Sequence, residues 1–192
     1  MSRPLKDAKR ALRRQIIEVL KSMSPASQNE ASAKARALLE GQPRWQQARS
    51  VLFFAPMSGE LDVWPLAEKA LLGGKVVALP RFVPAAERYV ACQIRDLGTD
   101  VCSGHFGIRE PAASCEEMEV SRFDLVLVPG VAFDLRGGRL GRGKGYYDQL
   151  LQNARGIACG VGFDEQMVLE IPVEPHDKRL NCILTPTRWV ES

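Results

Sequence analysis

The run Arg136-Gly137-Gly138-Arg139-Leu140-Gly141-Arg142-Gly143-Lys144-Gly145-Tyr146-Tyr147-Asp148 constrains this chain more than any other stretch. It holds five glycines and four cationic side chains, and it closes on two aromatics and a carboxylate. Upstream, Phe123-Asp124-Leu125-Val126-Leu127-Val128 reads as a strand, apolar apart from Asp124 and stopped by Pro129-Gly130. Downstream, Tyr146 to Asn153 reads as a helix. The order strand, long loop, helix gathers free backbone N–H groups at a helix start, where the dipole favours an anion. Glycines let such a loop turn tightly and let a ligand approach the backbone. Arg139, Arg142 and Lys144 add full charges and forked donors, so the matching ligand is a polyphosphate.

The spacing from Gly138 to Lys144 nearly meets the nucleotide-loop pattern G-x-x-x-x-G-K-[ST]. Gly145 stands where a hydroxyl would have held Mg²⁺. A nucleotide site here needs another oxygen ligand, and Asp148 is the nearest candidate. A solvated basic loop would account for the glycines and arginines alone. It does not account for two tyrosines and an aspartate following at once, so the loop reads as a phosphate loop of another type.

A chain of 192 residues is expected to fold as one domain over residues 1–192. With 45% apolar and 26% charged residues it has the balance of a globular protein, not of a disordered chain. A net charge of +3 is too small to argue for nucleic acid, so the cations matter through where they cluster. Cys92, Cys102, Cys115, Cys159 and Cys182 are scattered and odd in number. That excludes a disulfide framework or a zinc-binding spacing and fits a reducing cytoplasm. No signal-peptide pattern and no membrane-length apolar run occur, so a cytoplasmic protein with no membrane partner is expected.

Leu5 to Met23 reads as an amphipathic helix with Leu5, Ala8, Leu12, Ile16, Val19 and Met23 in one stripe. Lys9 and Arg13 fall one turn apart on the rim of that stripe, with Lys6, Arg10 and Arg14 further toward solvent. The rim cations can reach a ligand beside the packing surface or form an ordinary solvated face; the wheel leaves both open. Ser24-Pro25 marks the start of a second helix and Gly41 its end. Ser50 to Ala55 is a buried strand, Asp62 the N-cap of a helix to Leu72, and Lys75 to Leu79 the next strand. This βαβ unit has parallel strands whose carboxyl-end loops are where α/β sheets bind ligands. Glu60 lies on one such loop, as a ligand acceptor or a solvated carboxylate. Tyr89 to Ile94 reads as a further strand in an antiparallel excursion. A loop follows to Gly104, then a compact turn over His105 to Pro111, with His105 structural. Gly156 to Phe163 and Cys182 to Thr185 are the last strands, with Val173 to Arg179 a charged loop between them. The alternation implies a three-layer αβα fold of the α/β class with a largely parallel open sheet.

The run Pro129-Gly130-Val131-Ala132-Phe133-Asp134, with Arg139 to Asp148 after it, resembles the signature of the 5-formyltetrahydrofolate cyclo-ligase family, also called methenyltetrahydrofolate synthetases. Lys9-Arg10-Ala11-Leu12-Arg13 resembles the family's K-x-x-L-R. Met57 to Leu61 resembles its folate-side loop, with Glu60 at the acidic position. Gly107-Ile108-Arg109-Glu110-Pro111 resembles its G-I-x-E-P turn. The resemblance implies an enzyme that uses Mg-ATP to convert 5-formyltetrahydrofolate into 5,10-methenyltetrahydrofolate, ADP and phosphate. In the family scheme the formyl oxygen attacks the γ-phosphorus, N10 attacks the phosphorylated imidate, the ring closes and phosphate leaves.

Carried residue by residue, the resemblance implies that Lys9 and Arg13 contact ATP phosphates. Arg139, Leu140, Gly141, Arg142, Gly143, Lys144, Gly145, Tyr146 and Tyr147 would wrap the triphosphate. Arg142 and Lys144 would neutralise the transferring group, with Tyr146 between ATP and folate as a third catalytic residue. Ala55, Glu60 and Tyr146 would line the folate pocket, with Glu60 accepting from the pterin N–H edge. Asp148 would hold Mg²⁺. Many relatives carry a second, metal-linked aspartate where Asn181 stands here; Asn181 or Asp177 is the expected second ligand. A monomer without nucleic-acid partners is expected. The competing readings are a catalytically idle relative that binds folate or nucleotide, and an RNA-binding module using Lys6 to Arg14 and the basic loop.

Overall fold

The computed structural model describes residues 3–172 and 178–192. Three helices open the chain: α1 (Arg3–Ser22), α2 (Pro25–Glu40) and the short α3 (Pro43–Gln47). Ser24 caps α2 as expected, accepting from Ser27 N at 3.1 Å with Pro25 in the first turn. Then come β1 (Ser50–Leu52), α4 (Trp64–Leu72), β2 (Val76–Val83) and β3 (Arg88–Ile94). Four more strands follow: β4 (Val101–Ser103), β5 (Arg109–Pro111), β6 (Glu117–Met118) and β7 (Leu125–Pro129). After them come β8 (Ala132–Asp134), β9 (Arg139–Leu140) and α5 (Tyr146–Gln152). The chain ends with β10 (Ile157–Val161), β11 (Met167–Val168), β12 (Cys182–Leu184) and β13 (Trp189–Glu191).

Eight strands make one sheet in the order β13-β12-β10-β7-β1-β2-β3-β6. Every pairing from β12 to β2 is parallel, and β13, β3 and β6 run antiparallel at the margins. The expected parallel centre and the antiparallel excursion at Tyr89 are both present. Successive residues on a strand face opposite sides, and here both sides are apolar. Val51, Val77 and Leu125 join Ala35, Leu39, Leu66 and Ala67 from α2 and α4. Leu52, Ala78 and Val126 join Leu150 and Leu151 from α5 on the other face. Helices therefore cover both faces, which gives the three layers. Asp124, the one polar residue in the apolar run of β7, ties strand starts together. Its Oδ2 accepts from Arg49 N, Ser50 N and Ser50 Oγ at 2.8 to 3.0 Å.

Several boundaries differ from the sequence expectation. Ladder pairing in β1 stops at Leu52, although Phe53 N still donates to Ala78 O at 2.9 Å. The N-cap of α4 is Val63; Asp62 instead accepts from Trp64 N at 3.0 Å, an Asx turn just ahead of the helix. The loop to Gly104 contains β4, paired antiparallel with β5. In α1 the buried face is rotated: Lys9 and Ile16 are buried while Ala8 and Val19 are exposed. The reason is that α1 packs Ile16 against Val131, Ala132, Leu140 and Ile171, a separate cluster from the sheet's two faces.

That cluster belongs to the largest departure. The long loop after β7 is not continuous loop, because β8 and β9 form a hairpin and β11 adds to it in parallel. Asp134 closes β8 and is 3% exposed. Its Oδ1 accepts from Arg136 N and Gly138 N, each at 2.9 Å, and its Oδ2 accepts from Ile171 N at 2.8 Å. Gly137 and Gly138 thus belong to the hairpin turn and not to an open loop. Asp134→Ala strips three backbone donors of their acceptor and is expected to cost about 3 kcal/mol in urea unfolding. Leu135→Ala, one residue along at an exposed position, is expected to change stability by less than about 0.5 kcal/mol.

Candidate active site

The loop lies at the carboxyl ends of β1 and β7, where open α/β sheets bind ligands. Arg139 sets its course. The guanidinium is buried, with its side chain 4% exposed. It donates to Pro129 O at 3.2 Å and to Asp148 Oδ1 at 2.5 Å, and it lies 5.9 Å from the Tyr147 ring centre. Beyond it, Gly143 (φ +98°) and Gly145 (φ +73°) take left-handed backbone that side-chain-bearing residues resist. Gly145 is the residue that starts α5.

The loop overhangs a cavity of ≈ 300 Å³. Its polar rim is built from Glu60, Arg142 and Lys144, and Ala55 and Pro80 contribute apolar floor. Arg142 donates to Glu60 Oε1 at 2.9 Å, while Met57 N donates to Glu60 Oε2 at 3.0 Å. One wall is aromatic. Tyr146 packs 5.1 Å from Phe82 and 5.5 Å from Tyr89, Tyr147 packs 5.9 Å from Tyr89, and His105 stacks on Phe82 at 4.9 Å. Such a wall suits a flat ring. A larger groove of ≈ 940 Å³ runs past the other side of Tyr89, beside Glu117, Gln149 and Arg155. It contains none of the loop's cations, so the smaller cavity is the reactive candidate.

The helix rim is joined to the loop. Arg13 Nε donates to Gly141 O at 2.8 Å, and Lys9, one turn away, is 6% exposed. Lys6, Arg10 and Arg14 are exposed, so the solvated face and the rim divide as the wheel suggests. Ala55, Glu60, Arg139, Gly141, Arg142, Lys144, Gly145, Tyr146, Tyr147 and Asp148 therefore meet around one space although they are far apart in the chain.

Lys9, Arg13, Leu140, Gly143 and Asn181 do not line that space. Leu140 is 1% exposed and packs in the α1 cluster, with its carbonyl taken by Val131 N at 2.7 Å. It supports the loop from behind. Asn181 is corrected as a metal ligand: its Oδ1 accepts from Ala158 N at 2.8 Å and its carbonyl from Ser192 N at 3.0 Å. Ala158 pairs with Val126, three residues before Pro129 where the loop is gathered, so the amide faces the wrong end of the strand. Asp177 lies outside the described residues. Among the described residues no cluster of three His, Cys, Asp or Glu could hold a metal ion; Asp148 is one of three carboxylates, with Glu60 and Glu110, that line the cavity. Sequence reasoning passed over Phe82 and Tyr89, whose aromatic spacing along the β2–β3 hairpin was the available signal.

The chain matches the model of the 5-formyltetrahydrofolate cyclo-ligase family over residues 5–186. It belongs to that family. The 5-formyltetrahydrofolate cyclo-ligase of Escherichia coli is 31% identical over 172 residues, covering 88% of this chain and 94% of that protein. The cyclo-ligase of Saccharomyces cerevisiae is 29% identical over 207 residues, covering 92% of this chain and 94% of that one. The solved structure of Aquifex aeolicus 5,10-methenyltetrahydrofolate synthetase matches with a TM-score of 0.86 at 30% identity, over 95% of this chain and 92% of that chain. Cyclo-ligase membership and the mixed sheet thus agree with the resemblance carried by the loop. No described helix is long and apolar enough to cross a membrane.

The aromatic wall of this cyclo-ligase fold perturbs its own phenols. Burial pushes Tyr89 up, helped by Glu110, Tyr146 and Glu60. Burial pushes Tyr147 well up, with Glu60 and Tyr89 adding and Arg139 opposing. Both phenols are expected to ionise only above the ordinary value of 10 in a spectrophotometric titration. The unfolded chain loses these protons first, so their contribution to stability is intact below pH 10 and declines as pH rises past it. Ionisation of Tyr89 and Tyr147 at or below the ordinary value of 10 in the folded protein would contradict the packed wall.

Proposed function

We propose that this protein converts 5-formyltetrahydrofolate and ATP into 5,10-methenyltetrahydrofolate, ADP and phosphate. The observation that carries the reading is one cavity in which a glycine-rich cationic loop faces an acid-bearing, aromatic wall. The two halves suit two different ligands. Arg142 and Lys144, with Arg13 and Lys9 behind the loop, suit a triphosphate. Glu60, Ala55 and the rings of Tyr89, Tyr146 and Tyr147, backed by Phe82, suit a flat pterin with N–H donors on its edge.

The chemistry needs alignment more than it needs a reactive side chain. The amide-like oxygen of the N5-formyl group is a poor leaving group; its attack on the γ-phosphorus, with the P–O bond to ADP breaking, makes it a phosphate ester and a good one. N10 then attacks the formyl carbon and loses its proton, the five-membered ring closes, and the C–O bond breaks to release phosphate. Arg142 and Lys144 would carry the charge that builds on the transferring group, and Tyr146 would separate and orient the two reactants. The Arg142–Glu60 ion pair has a consequence here. Each partner suits a different ligand, so filling the cavity exchanges one internal pair for two pairs with substrates.

Mg²⁺ demands near-octahedral oxygen and keeps several waters, so it commonly takes one or two carboxylates plus substrate phosphates. Asp148, 33% exposed at the first turn of α5, fits that sparse donor set. It would take one position on an ion that arrives with ATP and shields the phosphate charge. Arg139 would then orient the Asp148 carboxylate toward the phosphates.

The direct test is absorbance at the methenyl-folate band on mixing protein, 5-formyltetrahydrofolate and Mg-ATP. Growth of the band only with ATP is expected; no growth while both ligands bind would reject this acceptor. Lys144 is exposed, so Lys144→Ala is expected to leave thermal stability unchanged while lowering kcat by about two to three orders of magnitude. A kcat near that of the wild type would remove Lys144 from the phosphate role.

A further inference from the structure

Glu110, on β5, is the acid of this cavity whose hydrogen bonding is incomplete. It lines the cavity, yet the residue is only 5% exposed. Oε2 accepts from Phe82 N at 3.4 Å, at the long end of hydrogen bonding. Oε1 is buried and has no hydrogen-bond partner among the described residues. Glu60 differs, since both of its oxygens are engaged by Arg142 and Met57. The chain also makes room for Glu110: a β-carbon at Gly104 would lie 2.5 Å from Glu110 Cδ. A buried carboxylate with one long bond works against folding. Natural chains retain such groups where a ligand uses them.

We propose that Glu110 is a substrate-binding residue that accepts hydrogen bonds from the N–H edge of the folate pterin. This rests on the cyclo-ligase reading and adds a second acid to it. The pterin edge presents a ring N–H and an amino group side by side, and a carboxylate with a spare oxygen is the complementary acceptor. Phe82 links the two halves of this arrangement. Its backbone N–H holds Glu110 Oε2, and its ring packs against Tyr89 and Tyr146 in the aromatic wall. The acceptor and the surface on which the ring would lie are thus positioned by one residue. Glu60, on the Arg142 side of the cavity, is the other acid that faces the pterin in this reading.

The test compares wild type, Glu110→Gln and Glu110→Ala by calorimetry, using 5-formyltetrahydrofolate, its analogue lacking the 2-amino group, and ATP. The Gln variant keeps the shape and an acceptor for Phe82 N. It is expected to bind the folate about tenfold more weakly and ATP within about twofold of wild type. Its melting temperature is expected to be no lower than that of wild type, an outcome a scaffold role would not produce. Wild type is expected to prefer the amino-bearing folate about tenfold, and both variants to lose most of that preference. If Glu110→Ala fails to fold, the Gln variant carries the comparison. Wild-type folate affinity in Glu110→Gln, or an undiminished preference for the 2-amino group, overturns the assignment. So does a lowered melting temperature with folate and ATP affinity falling together. Should wild type bind the folate with this pattern but form no methenyl product, the activity reading falls and the Glu110 assignment stands. Should wild type bind no folate, the assignment falls.

Discussion

A buried guanidinium organises the reactive end of this molecule. Arg139 leaves water for a space between the end of β7, the hairpin and the start of α5. A charge removed from water is tolerable only when paired and hydrogen-bonded. Pro129 O and Asp148 meet that demand at the two terminal nitrogens, with the Tyr147 ring alongside, while the buried Nε has no hydrogen-bond partner among the described residues. Those contacts hold a strand end, a hairpin strand and a helix start in one geometry, and the loop from Gly141 to Gly145 has little choice of path. The basic loop is therefore not a solvated strip of charge. One arginine is structural, Arg142 is turned onto Glu60, and the backbone between them is tied to α1 through Arg13.

The N-terminal helix takes its meaning from the same hairpin. Its apolar face seats Ile16 against Val131, Ala132 and Leu140, away from the two faces of the main sheet. That seating carries Lys9 and Arg13 to the back of the loop. Asp134 is the pivot beneath, since one carboxylate joins the hairpin turn to Ile171 through three backbone donors. Helix, hairpin and loop form a small layered unit at the carboxyl ends of the parallel strands. Its rigidity is what allows glycine-rich backbone to hold a defined cavity wall.

Charge around the cavity is balanced locally, although the whole chain is only mildly basic. Arg139 is matched by Asp148 and Arg142 by Glu60. The buried Arg139–Asp148 pair fixes the geometry, whereas the more exposed Arg142–Glu60 pair can be exchanged for ligand contacts. Arg142 and Glu60 suit opposite ligands, so phosphate donor and formyl acceptor would separate them together. Glu110 stands outside this balance, which is why its spare oxygen is informative.

Local pattern made much of this legible. Apolar strand runs, the Ser24-Pro25 helix start and the glycine-cation loop each depend on neighbours in sequence, and each is found where residue chemistry puts it. Glu60 stands out as a candidate because it lies on a loop at the carboxyl end of a strand, whereas Ala55 is implied only by the family resemblance. The failures share one cause. In sequence Arg139 has the same standing as the other loop cations; only the structure shows it buried against Pro129 and Asp148 while still lining the cavity. Asn181 looked like a metal ligand until its amide was found bonded to Ala158 at the other end of a strand. The two-residue and three-residue strands of the hairpin are too short to show a period. Sequence by itself determined the fold class, the family and which residues could carry charge to a phosphate. Tertiary structure alone decided which of those charges is buried, which is paired, and which oxygen is left without a donor. Those outcomes depend on contacts between residues tens of positions apart, and the desolvation that gives such contacts their strength does not exist until the chain has closed around them.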